Sequence, residues 1–440
     1  MRTRWDTMPR RVKRPGMLAG GDGSTLSLDF TAMSSLDSRF TFTRNSLATF
    51  INSQGLIQEV TAAPTNDPTK ARFDYDPTTF APRGLLIEGS VTNLLTWSES
   101  FATSGGTTNW NWSALNVTRG TATQTDPKGV SSTVIKIEET SATGIHAPLI
   151  VPAASSSTTY TASVFAKAVE RTFVQLFENG GSGANSMVNL SNGAVVSEST
   201  AGITTVTALG TTGWYRISMR LTTGSGQTSV NFQLRLSTNG TTTSYAGTTG
   251  SGIFIWGAQL EQSAGASSYI PTGASTVQRA LEVCSMTGTN FSSWYTQGVG
   301  TVLVFSDINF PNTAQNVNFL IQDATDQNYA RAGHKVGGGT AEALLTATSG
   351  SIQGFADTGL IPSNTVSYKT CYAWEASNFA AVANNGTVGT DTSGSAPGTV
   401  DRMFIGGDGT NSVHAKQGHI AKLVYWPTRL PNATMKVLTA

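Results

Sequence analysis

His146, His334, His414 and His419 are the four histidines of this chain, the side chains best suited to moving protons near neutral pH. None lies in an HExxH pair, so the helix-borne zinc site that needs two histidines on one helix face is not encoded. The many glycines complete no G-x-S-x-G, GxxxxGK[ST] or GxGxxG pattern, which disfavours nucleophile-elbow hydrolases and the common nucleotide sites. A glycosidase would need two carboxylates about 5–10 Å apart. Acidic residues are sparse, with 27 Asp and Glu in 440 residues. The expectation is a protein that does not catalyse a reaction. His414 and His419 flank the start of a strand-like run and read as surface-loop histidines.

No cofactor is expected, and calcium is the one ion that the loops could hold. Carboxylates and backbone carbonyls from loops suit it. Asp323 and Asp326 in QDATDQN and Asp408 in GGDGTN are the candidate metal ligands. Loop aspartates also cap their own turns, which is the competing use of the same residues. Cys284 and Cys371 lack metal-finger spacing and cannot build a disulfide scaffold, so both read as small buried apolar groups. Residues 1–24 form a basic arm; in its first twenty residues Arg2, Arg4, Arg10, Arg11, Lys13 and Arg14 face a single acid, Asp6. Pro9 and Pro15 argue against a continuous helix there, and the arm reads either as a solvated, flexible segment or as a docking peptide that orders on a larger assembly. It has no apolar core of a signal peptide, so no route of secretion is expected.

The elements that would position these groups are strands. Charged residues make up only 12% of the chain, and 46 glycines accompany abundant Ser and Thr. That composition excludes coiled coils and charge-driven disorder. A formal net charge of +1 gives no overall attraction to nucleic acid or anionic membranes, leaving the arm as the only phosphate-contacting candidate. No run of eighteen apolar residues crosses a membrane. Short runs with period-two alternation recur, as in WYRISMRL, where Tyr215, Ile217, Met219 and Leu221 share one face and Arg216, Ser218 and Arg220 the other. Turn-rich stretches such as 178–186, 222–229 and 238–252 separate the runs. No period of 20–50 residues repeats, so a solenoid or propeller is not expected. The reading is an all-β chain of two antiparallel β-sandwich (jelly-roll) domains in tandem, behind an extended N-terminal docking segment. Its parts are the arm, a docking and connector module at 25–95, a sandwich at 96–280 and a second sandwich at 281–440. The Asn385-Gly386 pair marks a hairpin in the second, and 430–438 reads as a terminal helical turn.

FTFTRNSLATF, followed by ARFDYDP, PRGLLIEGSVTNLL and WSESF, resembles the N-terminal module of bacteriophage virion proteins described as head-spike fibre or tail-fibre proteins. YTASVFAKA, GWYRIS and IFIWGAQLEQSAGASSYIPTGASTVQRA resemble the carbohydrate-binding-module jelly roll that follows in that family. FAAVANNGTVGTDTSG, DRMFIGGD and GHIAKLVYWPTRLPNATMKVLT are similar to a laminin-G or concanavalin-A-like sandwich. The resemblance implies a protein made in the bacterial host cytoplasm and carried on the surface of a virion or phage-derived gene transfer particle. It further implies a homo-oligomer, as a trimer, with the N-terminus docked on head or tail proteins and host envelope polysaccharide as the target. Capsid cement with purely protein–protein contacts and a polysaccharide depolymerase are the alternatives.

A pyranose offers CH patches on its faces and hydroxyls on its rim, so a binding site needs aromatic platforms beside short polar side chains. Trp214, Trp256, Trp374 and Trp426 fall in strands at apolar-face positions and read as core. In NWNW, Trp110 and Trp112 would share one strand face; Trp110, where the resembling family keeps an aromatic, leans to core, and Trp112 is the platform candidate. Tyr245, in the Gly/Thr-rich loop, and the Trp294–Tyr295 pair complete the glycan-binding candidates.

Overall fold

The computed structural model describes residues 22–106, 108–310, 315–338, 340–410 and 414–440. The basic arm, with Arg2, Arg4, Arg10, Arg11, Lys13 and Arg14, lies outside the described residues. The chain is all-β and its strands pack as antiparallel sandwiches; among the described residues α-helix is confined to Thr289–Ser292 and the expected terminal turn, Asn432–Leu438. Among the described residues no helix is long and apolar enough to cross a membrane.

The first sandwich faces a six-stranded sheet with a five-stranded one. The six-stranded sheet runs Thr204–Ala208, Tyr215–Thr222, Thr159–Ala168, Gly252–Glu261, Ser131–Glu139, Val117–Thr125. Alternation decides which side chains enter the core: Val164, Ile217 and Ile255 meet Leu176 and Leu234 of the opposing sheet. The other face of the six-stranded sheet is also covered. Phe165, Trp214, Trp256 and Tyr269 form a second cluster there, closed by Ile57 from the hairpin Ala48–Ile51/Ile57–Val60. Burial on both faces explains why Gly252–Glu261 reads as nearly continuous apolar sequence.

The second sandwich is built from both ends of the described chain. Its eight-stranded sheet contains Tyr368–Trp374, Gly300–Ser306 and Gly418–Trp426, continued by Pro82–Ile87 and Arg72–Tyr75, with Leu26–Asp29 also on Gly418–Trp426. The facing seven-stranded sheet takes Thr41–Thr43 at its edge, beside Val283–Thr287. The segment 25–95 therefore does not close on a core of its own; Phe30, Phe40, Phe42 and Phe73 lie in the second sandwich's core with Phe319, Tyr372 and Trp374. The first sandwich is inserted into the second. Its entry strand Val91–Asn93 pairs antiparallel with its exit strand Val277–Arg279. Proline at the first position of Pro82–Ile87 costs no ladder bond, so it does not keep that run out of the sheet. The Asn-Gly hairpin forms between Phe379–Ala383 and Gly389–Asp391, with Asn384 and Asn385 at φ of 47° and 56°.

Candidate functional site

The structure moves most of the expected platforms indoors. Trp110 and Trp112 share the first sandwich's core, where their indole N–H groups donate to the carbonyls of Thr96 (3.2 Å) and Phe101 (3.1 Å). Trp294 and Tyr295 lie in the second core against Phe291 and Tyr425. Tyr245 keeps partial exposure, but its hydroxyl donates to Glu139, which also takes a bidentate pair from Arg171 at 2.6 and 2.7 Å. The correction has a simple cause. Neither 109–112 nor 294–295 lies in a strand, so alternation does not place these rings; irregular chain folds them onto the cores because their large apolar area leaves water there. Trp110→Ala is accordingly expected to cost about 3–5 kcal/mol of folding free energy, read from a urea melt, as a buried tryptophan should. A loss under about 1 kcal/mol would return it to the surface.

The expected calcium ligands also have other partners. Asp323 caps its own turn, accepting from the Thr325 and Gln327 amides (3.1 and 3.0 Å) and the Asn328 side chain (2.7 Å). Asp326 is exposed and 3.6 Å from Arg331, and Asp408 accepts the Thr410 amide and pairs with His414. Among the described residues no three His, Cys, Asp or Glu side chains are arranged to hold an ion. His414 is thus hydrogen-bonded to Asp408, and His419 is not a loop residue at all but lies fully buried in Gly418–Trp426. Cys284 and Cys371 are buried free thiols, and burial pushes Cys371 up to about 12.

A cleft of about 940 Å³ lies where the two sandwiches meet. One wall is the outer face of the six-stranded sheet, presenting Thr161, Thr205, Arg216 and Ser218; the other presents Arg83, Asp307, Asn309 and Tyr368. Strand pairing sets the first wall, since Ser218 lies opposite both Ser163 and Thr205. The second wall comes from Pro82–Ile87, which brings Arg83 beside the end of Gly300–Ser306.

Behind that wall His419 is clamped between two aspartates. Its Nδ1 lies 2.9 Å from Asp307 and its Nε2 2.8 Å from Asp74. Both ring nitrogens face carboxylates, so the favoured form is the imidazolium donating to both. Burial works against that charge, but Asp307 and Asp74 outweigh it and raise the imidazole pKa. Burial would raise Asp307 too, yet His419 and Arg83 (2.8 Å) hold its carboxyl well below the usual range.

The floor between the sandwiches is a second ionic cluster. Arg72 donates to Glu282 (2.8 and 2.5 Å), Glu88 (2.8 Å), the Thr49 carbonyl and Ser268. Arg44 pairs with Glu282 at 2.8 Å and Arg279 with Glu88 at 3.1 Å. Burial alone would raise both glutamates, but Arg279 and Arg72 beside Glu88, and Arg72 and Arg44 beside Glu282, hold them below their ordinary range. Ser268, on the exit from the first sandwich, donates both its amide and its hydroxyl to Glu88. Glu88 and Asp307, which line the cleft, are thus held ionised and hydrogen-bonded within the protein. Sequence reading missed these residues. The available signal was charge embedded in apolar runs, as in PRGLLIEG and QRALEV, within a chain otherwise poor in charge.

No family model matches this chain, and no curated protein matches it. Among solved structures, a native heptameric SAP-like pentraxin from Limulus polyphemus aligns over 32% of this chain and 70% of its own, at 12% identity and a TM-score of 0.23.

Proposed function

We propose that the protein is a non-catalytic binding component of a virion surface, a head-spike or tail fibre that holds host envelope polysaccharide in the cleft between its sandwiches. The observation that carries the reading is the cleft itself. It has the volume of a small-ligand site, walls of hydroxyl, amide and guanidinium groups, and a floor held by buried ion pairs. Short polar side chains on rigid strands suit a hydroxyl-rich ligand, since little side-chain freedom is lost on binding. The sequence resemblance supplies the setting: docking through the N-terminus on head or tail proteins, and a homotrimer that multiplies weak sites by avidity. A depolymerase has one observation in its favour, two aspartates beside the cleft, but both carboxylates are engaged by His419.

Retention of the purified protein in gels containing capsular polysaccharide or lipopolysaccharide tests this reading. Thr205→Trp, which places an indole in the cleft from an exposed strand position, is expected to weaken retention about tenfold or more while the protein stays folded. Undiminished retention of that variant would remove the cleft as the site, and release of new reducing ends would convert the reading to a depolymerase.

A further inference from the structure

A group of polar side chains lies inside the second sandwich, apart from the ion pairs of the floor. Asn318 from Asn316–Gln322 and Glu342 from Glu342–Thr348 belong to one sheet; Tyr368 and Tyr372 from Tyr368–Trp374 belong to the other. Lys416, just before Gly418–Trp426, is fully buried among them. Its Nζ lies 2.7 Å from Oδ1 of Asn318 and 3.0 Å from the hydroxyl of Tyr368. That hydroxyl donates to Glu342 Oε1 at 2.7 Å, while Glu342 Oε2 accepts from Asn318 Nδ2 at 3.0 Å and from Tyr372 at 2.6 Å. The amine, the carboxamide and the carboxyl therefore close a ring with water excluded. A buried lysine whose nearest polar group is an amide oxygen, with a carboxyl bonded to that amide's nitrogen, is a poor way to stabilise a core. It is a good way to hold a nucleophile, an electrophile and a proton carrier together.

The geometry points to an intramolecular isopeptide bond between Lys416 Nζ and Asn318 Cγ, formed by the protein itself with Glu342 as the proton carrier. The Lys416 ammonium gives a proton through the Tyr368 hydroxyl to Glu342, and the freed amine attacks Asn318 Cγ, the atom bonded to the oxygen it already contacts. Negative charge develops on Oδ1, where the Ser306 hydroxyl donates at 3.3 Å. Glu342 protonates Nδ2 and recovers a proton from the attacking nitrogen. The Nζ–Cγ bond has formed, the Cγ–Nδ2 bond breaks, and ammonia leaves with the remaining proton as ammonium. No oxidant, metal or second substrate enters the balance. Burial, against the pull of Glu342 and Asp307, lowers Lys416 to about 8, and burial raises Glu342 despite Lys416 and the two tyrosines. Both directions favour the uncharged pair that the attack requires. Ser306 and Tyr368 also line the cleft, which gives the ammonia a way out. The bond would staple the two sheets of the second sandwich across 98 residues of chain.

Intact mass spectrometry of the purified full chain, incubated folded near pH 8, tests the assignment. The expected result is a mass lower than the sequence mass by about 17 Da, one ammonia, with a branched tryptic peptide joining the segments that hold 318 and 416. Lys416→Met and Asn318→Ala should keep the full mass, and Glu342→Gln should keep it or lose it far more slowly. The unmodified mass in the wild-type chain, with Lys416 recovered in a linear peptide, would overturn the assignment whatever the variants do. So would a 17-Da loss that maps to cyclisation of another asparagine. Cross-linking of Glu342→Gln at the wild-type rate would remove the role given to Glu342.

Discussion

Arg72→Ala is expected to lower the folding free energy by about 3–5 kcal/mol, because it leaves buried carboxylates without their cation. Arg72 is fully buried and binds Glu282 through two nitrogens and Glu88 through a third, so its removal strips both glutamates of a counter-charge. Arg44 and Arg279 each stay beside one glutamate, and for that reason the loss should be large without being total. Arg72→Lys should recover only part of it, since an ammonium cannot reproduce the bidentate fork. Urea unfolding followed by the fluorescence of the nine tryptophans gives the measurement. Because the cluster joins Ser268 of the first sandwich to strands of the second, the variant should also separate one transition into two. A change below about 0.5 kcal/mol would mean that the cluster does not hold the junction.

His419→Ala is expected to cost a similar amount, about 3–5 kcal/mol at neutral pH, by leaving Asp74 and Asp307 buried around an empty space. Its signature is a pH dependence with a definite sign. His419 has a raised pKa in the folded chain, so its contribution is complete below the ordinary imidazole value of about 6.5 and is lost as pH rises through the folded value. Asp307 is shifted the opposite way. Its contribution is complete above the ordinary carboxylate value of about 3.9 and fades as pH falls toward its lowered folded value. The stability difference between wild type and His419→Ala should therefore be widest in mildly acidic solution and shrink on the alkaline side. A difference that grows steadily with alkalinity would show that the imidazole is held neutral.

The candidate site shows where sequence reasoning stopped. Composition and alternation marked central strands of both sandwiches, because a pleated strand with one buried face writes its period directly into the residue order, but passed over Val117–Thr125, Thr204–Ala208, Glu342–Thr348 and Ser351–Asp357. The same evidence read Trp214 and Trp256 as core, and both are buried. It misjudged Trp112, Trp294 and Tyr295, since an aromatic residue among polar neighbours reads alike whether it faces a core or a ligand. It also passed over Arg72, Glu88 and Glu282, which stand at positions 72, 88 and 282 and acquire meaning only as neighbours.

Alone, then, the residue order determined an all-β chain with a terminal helical turn, a low charge and two layered cores. Those properties follow from local preference and from the apolar surface that must leave water. Tertiary structure alone decided that Leu26–Asp29, Arg72–Tyr75 and Pro82–Ile87 complete the sheet formed by the chain's last strands. It decided too that the cleft lies between the sandwiches rather than at a loop tip. Strand pairing uses backbone hydrogen bonds that every residue except proline can offer, so the choice of partner is set by the packing of the whole molecule. The ion pairs around His419 and Arg72 are consequences of that choice.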